Sequence, residues 1–104
     1  MPDRPAIARR LRQILDAARE GRLAPEDFAY VRAGFFPGTA RLYETQLRRL
    51  GSPTRVELVE RRALGDDVIS TYEVTFPSGV FYVRLGLAPD DRISAFSIWP
   101  KPAQ

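Results

Sequence analysis

The sequence predicts an α+β domain in which three N-terminal helices pack on one face of a four-stranded antiparallel meander sheet. Three observations carry that prediction. Apolar residues before Pro53 recur at helical spacing, and after Pro53 they alternate. The connections in the second half are turn-rich and too short to join anything but antiparallel neighbours. The length, 104 residues, suits one domain, with a helical half over about 3–51 and a sheet half over about 54–100.

In the first helix, 6–20, Ile7, Leu11, Ile14, Leu15 and Ala18 make one apolar stripe. Asp3 is the expected N-cap, Pro5 fits the first turn, and Gly21 is the expected stop. Pro25 opens a short second helix that would bury Phe28, Val31 and Phe35, until Pro37-Gly38 breaks it. Thr39 caps a third helix ending at Leu50, with Tyr43, Leu47 and Leu50 inward; Gly51-Ser52-Pro53 ends it.

Four strands follow, at about 54–64, 67–76, 80–87 and 92–99, separated by Gly65-Asp66, Pro77-Ser78-Gly79 and Ala88-Pro89-Asp90-Asp91. With Ser78-Gly79 at the tip of the second hairpin, Phe76 faces Phe81, Val74 faces Val83 and Tyr72 faces Leu85. Thr75 then faces Tyr82, and Glu73 faces Arg84. One face is apolar. The other holds a polar pair and a surface ion pair rather than a catalytic one. The last strand does not alternate cleanly. Ile93, Ala95 and Trp99 fall on one side, Phe96 and Ile98 on the other, so large apolar groups emerge on both faces. The register of that hairpin stays open between Phe96/Ile98 and Ile93/Trp99 outward.

Composition narrows the chemistry. The chain has no cysteine, which removes disulfides and thiolates, and no histidine, which removes the commonest general base and metal ligand. Net charge is +3, yet acids are interleaved with bases. No nucleic-acid partner is therefore expected. Fifteen of the sixteen bases are arginine, a bias that fits a GC-rich genome. No run approaches the ~20 apolar residues of a membrane helix. The opening MPDRPAIARR lacks the apolar stretch of a signal peptide, so a cytoplasmic location is expected.

No constellation reads as a catalytic, cofactor or metal site. The glycines sit at separate helix breaks and turns rather than in a phosphate loop; Gly86, mid-strand, marks a bulge or close contact. Asp66-Asp67 and Asp90-Asp91 are turn residues without the alternating oxygens of a calcium loop. Arg9, Arg10, Arg12 and Arg19 make a solvated side of the first helix, interrupted by Asp16 and Glu20.

Particular words in the chain carry a resemblance. "ILDAAREGRLAPEDF" (14–28), "LRRLGSPTRVELVERR" (47–62) and "YEVTFPSGVFYVRLGLAPDDRISAFSIWP" (72–100) are similar to the small accessory domain found C-terminal to serine beta-lactamase-related hydrolases. The element order resembles the cystatin-like arrangement of the nuclear transport factor 2-like superfamily. The shared words are structural, and the hydrolase's serine–lysine motif has no counterpart here. The resemblance therefore implies an accessory domain without the enzyme. It also implies dimers formed through the outer sheet face, as in other such folds.

The function expected is association without catalysis: a homodimer, or docking on a protein partner such as a serine hydrolase domain, through the outer face. Glu73, Thr75, Tyr82, Arg84, Phe96 and Ile98 would carry it. The rival is a small-molecule binder or minimal enzyme using an interior pocket near Tyr43 and Tyr72. A roomy polar cavity would favour the rival, and a filled core would favour association.

Overall fold

The computed structural model describes residues 3–102. Its elements are α1 (Pro5–Arg19), a 3₁₀ turn (Pro25–Asp27), a wide π-type turn (Phe35–Thr39), α2 (Ala40–Leu50), β1 (Arg55–Leu64), β2 (Asp67–Phe76), β3 (Gly79–Leu87) and β4 (Ile93–Pro100). The strands pair antiparallel in the order β1-β2-β3-β4. The class is α+β, with two helices rather than three.

α1 buries Leu11, Ile14, Leu15 and Ala18, the stripe its spacing predicts. Pro5 occupies its first turn. Its last carbonyls are closed by a Schellman pair, with Gly21 N–H donating to Ala18 O and Arg22 N–H to Ala17 O. Gly21 has φ +71°, and a Cβ there would lie 2.7 Å from Glu44 Oε1 on α2. The left-handed turn is what requires glycine here, since the flexible Glu44 side chain could move aside. The N-cap expectation is corrected: the cap residue is Arg4, extended and without a side-chain cap bond. Asp3 points elsewhere.

The expected second helix is absent for a local reason. Phe36 precedes Pro37 and is extended (φ −107°, ψ 133°), as the proline ring demands of its predecessor. Gly34 is left-handed at φ +83°. Phe28, also extended, bridges Ile93, whose carbonyl accepts the Ala29 N–H at 2.7 Å. Phe28, Phe35 and Phe36 cluster with ring centroids 4.9–5.5 Å apart. Aromatic packing and one strand-like contact replace a helical stripe, and Val31 is exposed.

The second hairpin keeps its faces but shifts by two residues. The turn is Pro77-Ser78, so Val74 pairs with Phe81, Tyr72 with Val83 and Glu73 with Tyr82. The expected pairs Val74/Val83 and Glu73/Arg84 are therefore wrong. A two-residue slip preserves every side chain's face, so the inner set is as expected: Tyr72, Val74, Val83 and Leu85 are fully buried and Phe76 nearly so.

In β4 the broken alternation is a bulge, with the register shifting between Gly86 and Leu87. Ile93 pairs with Leu87, and after the extra residue Phe96 pairs with Leu85 and Ile98 with Val83. All three belong to the core cluster or pack against it. Neither open alternative holds as stated: Trp99, paired with Tyr82, is the large apolar group left on the outer face. Gly86 permits this. A Cβ there would meet Ser94 Oγ at 2.6 Å and Ile69 Cδ1 at 2.8 Å.

A second bulge lies in β1, where the register shifts between Leu58 and Glu60. Val59, the extra residue, is 53% exposed. The bulge turns Arg61, opposite inward Ser70, toward the helices.

Candidate functional site

Two places hold chemistry: the outer face of the sheet and one polar cluster on its inner face. The outer face follows from alternation. β1 contributes Arg55, Glu57, Glu60 and Arg62; β2 contributes Ile69, Thr71, Glu73 and Thr75; β3 contributes Val80, Tyr82 and Arg84; β4 contributes Ala95, Ser97 and Trp99. Toward its β4 edge, Tyr82 and Trp99 pack at 5.7 Å between ring centroids, and the Arg84 guanidinium lies 5.1 Å over the Trp99 ring. This cation–π stack, not an ion pair with Glu73, is what Arg84 makes. Glu73 instead accepts a 2.7 Å bond from Lys101 Nζ. That bond and the Glu73 charge raise the lysine's pKa.

The outer face is partly self-covered. Ile69 and Thr71 are 6% and 7% exposed although no helix lies over them, and Ile69 rests against Gly86. Of the six residues expected to form an association surface, Glu73, Thr75, Tyr82 and Arg84 share this face. Phe96 and Ile98 do not: they point at the helices, with Phe96 against the Tyr43 ring at 5.5 Å. Trp99 takes their place. The bulge accounts for the spacing of Ile93 and Phe96 without two-sided burial.

The expected pocket residues are not brought together. Tyr43 packs between Phe35 and Phe96. Tyr72, on β2, is fully buried and binds Arg61 of β1. Tyr30 is 68% exposed. One cleft of about 420 Å³ runs along α1 beside Arg22, Leu23 and Asp27, and one of about 380 Å³ lies on α2 beside Leu42. Neither is lined by Tyr43 or Tyr72. The two acids of the first are engaged locally: Asp16 with Arg19 and Asp27 with the Ala24 N–H.

The inner polar cluster was not foreseen. Arg61 donates from Nε to Ser70 Oγ at 2.9 Å, and from Nη2 to Tyr72 Oη at 2.8 Å and Asp3 Oδ1 at 2.9 Å. The Tyr72 hydroxyl donates to the same Asp3 oxygen at 2.8 Å, and the Arg4 N–H does so at 2.6 Å. The Arg61 side chain is only 9% exposed, so this counter-charge is required. Desolvation pushes the Asp3 pKa up, but the bonds from Arg61, Tyr72 and Arg4, with the Arg61 charge, outweigh it and hold the carboxyl below its ordinary value. Burial first, then the bond to Asp3, raises the Tyr72 phenol pKa, so it stays a donor.

The turn acids are structural. Asp90 Oδ1 accepts the Arg92 N–H at 3.1 Å, and Asp91 is left-handed at φ +67°. Among the described residues, no helix is long and apolar enough to cross a membrane. Compared with known proteins, the chain matches no family model, no curated protein and no solved structure.

Proposed function

We propose that this chain is a non-catalytic association domain that pairs with a second copy of itself through the outer face of its sheet. One observation carries the reading: the face that no helix covers presents the Tyr82–Trp99–Arg84 stack, a type of cluster enriched at the centres of interfaces. A second copy fits because the face is self-complementary in charge. Arg55, Arg62, Arg84 and Lys101 are matched by Glu57, Glu60, Asp67 and Glu73 on the same side. An isologous two-fold contact needs that balance, since each patch meets its own copy. The nuclear transport factor 2-like resemblance points the same way.

The area sets the strength. Four strands at ~4.8 Å spacing and strands some ~30 Å long give a footprint on the order of 600 Å². That is below the ~800 Å² per partner of a standard interface and in the size range of weak, transient contacts, and the dimer proposed is a weak one, on the order of micromolar. Tyr43 and Tyr72 line neither of the two clefts described above, which supports this reading over the small-molecule alternative. Light scattering across a wide concentration range is the test. The mass should rise from 11.8 kDa toward twice that value, and Trp99→Asp should hold it at the monomer. A constant monomer mass would refute self-association. A dimer unmoved by Trp99→Asp would refute the face.

A further inference from the structure

The inner face of the sheet holds one nearly buried cation, Arg61, and its counter-ion comes from far along the chain. Arg61, Ser70 and Tyr72 stand on two paired strands, β1 and β2, and their positions are fixed by register and by the β1 bulge. Asp3 belongs instead to the segment that leads into α1, and its side chain is 30% exposed. The donors are therefore built into the sheet, while the carboxylate sits at the mouth on a tether. Ser70 is 1% exposed and Tyr72 fully buried, so neither hydroxyl has water to turn to. Two sheet donors, Arg61 Nη2 and the Tyr72 hydroxyl, converge on one carboxylate oxygen at 2.8–2.9 Å, with Arg61 itself braced by Ser70. That is charge-assisted recognition of a carboxylate in a site shielded from solvent.

We infer that Arg61, Ser70 and Tyr72 form a carboxylate-binding site, that Asp3 fills it as an internal ligand, and that a small free carboxylate can take Asp3's place. Beyond its Cα, an aspartate side chain has the heavy atoms of acetate. Asp3→Gly vacates that volume; Asp3→Ala vacates only the volume of formate. In the unaltered chain the tether gives Asp3 a high effective concentration, so free carboxylate at millimolar levels does not displace it.

The experiment is thermal unfolding of the full chain and its variants in sodium acetate, sodium formate or sodium chloride at equal ionic strength. Asp3→Gly should unfold roughly 5 °C or more below the unaltered chain. Acetate should restore it saturably, beyond any effect of chloride. Asp3→Ala should respond to formate and much less to acetate, and the unaltered chain to neither. The double variant D3G/R61M, in which the buried charge is gone, should fold and lose the carboxylate response, since apolar replacement of a buried ion pair is usually tolerated. If Asp3→Gly folds only when refolded in acetate, the site is equally supported. The inference is overturned if acetate does no more than chloride, if the response persists in D3G/R61M, or if Asp3→Gly fails to fold in every salt.

Discussion

The two faces of this sheet are made from the same strands by alternation, yet they do different work. The inner face buries Tyr72, Val74, Val83 and Leu85 completely and admits one charge, Arg61, which takes three side-chain partners to settle. The outer face holds several of its charges in paired or stacked surface positions: Arg55 with Glu57 at 2.7 Å, Lys101 with Glu73, Arg84 over Trp99. Stability therefore resides on one side, and the other is the face proposed above for association. Substitutions should divide accordingly.

The largest effect should come from carrying a charge across that divide. Phe96→Asp buries an unpaired carboxylate in the core beside Tyr43 and should unfold the chain, a cost of about 4 kcal/mol or more. Trp99→Asp, three residues along on the opposite face, should leave the fold intact. Circular dichroism under denaturant separates them, and equal stability of the two would break the comparison. Next comes Val83→Ala, which should cost about 1–3 kcal/mol through lost burial and a small cavity. The shift of the urea midpoint measures it.

Acid should act on the inner face selectively. The Asp3 carboxyl titrates below its ordinary value in the fold, so its contribution is complete above the unfolded-state pKa near 3.8 and is lost as pH falls through the lowered folded value. Asp3→Asn should therefore remove part of the decline in stability below about pH 4. A variant whose decline matches that of the unaltered chain would show that the Arg61 cluster does not take part. The smallest effect belongs to Glu73→Gln on the outer face, which should cost well under ~1 kcal/mol and shrink further in high salt.

Much of this division was legible in the sequence, and what was not has a common cause. Alternation in 72–85 determined which side chains share a face, and a hairpin tip misplaced by one residue at each strand changed partners without changing faces. The α1 stripe and its Gly21 stop were readable because spacing and cap chemistry agree. The failures lie where one residue breaks a period. Leu58-Val59 in β1 and Ile93-to-Phe96 in β4 each hide a bulge, and each bulge reassigns every side chain beyond it. The first brought Arg61 inside; the second brought Phe96 and Ile98 inside and left Trp99 alone outside. Consecutive or oddly spaced apolar residues in a strand can mean burial on both faces or a bulge, and local pattern does not separate them. The region 25–39 failed for another reason. Gly34 is left-handed and Phe36, before Pro37, is extended, local breaks that apolar spacing does not register.

Trp99 is the single tryptophan of the chain, so its emission reports the outer face directly. Fluorescence and mass followed together through dilution test the central claim. The account predicts that, as the mass falls toward 11.8 kDa, Trp99 emission shifts to the red and becomes more accessible to iodide, with both curves sharing one micromolar midpoint. A dimer that dissociates with no change in Trp99, or a monomer mass and constant emission at every concentration, would contradict it.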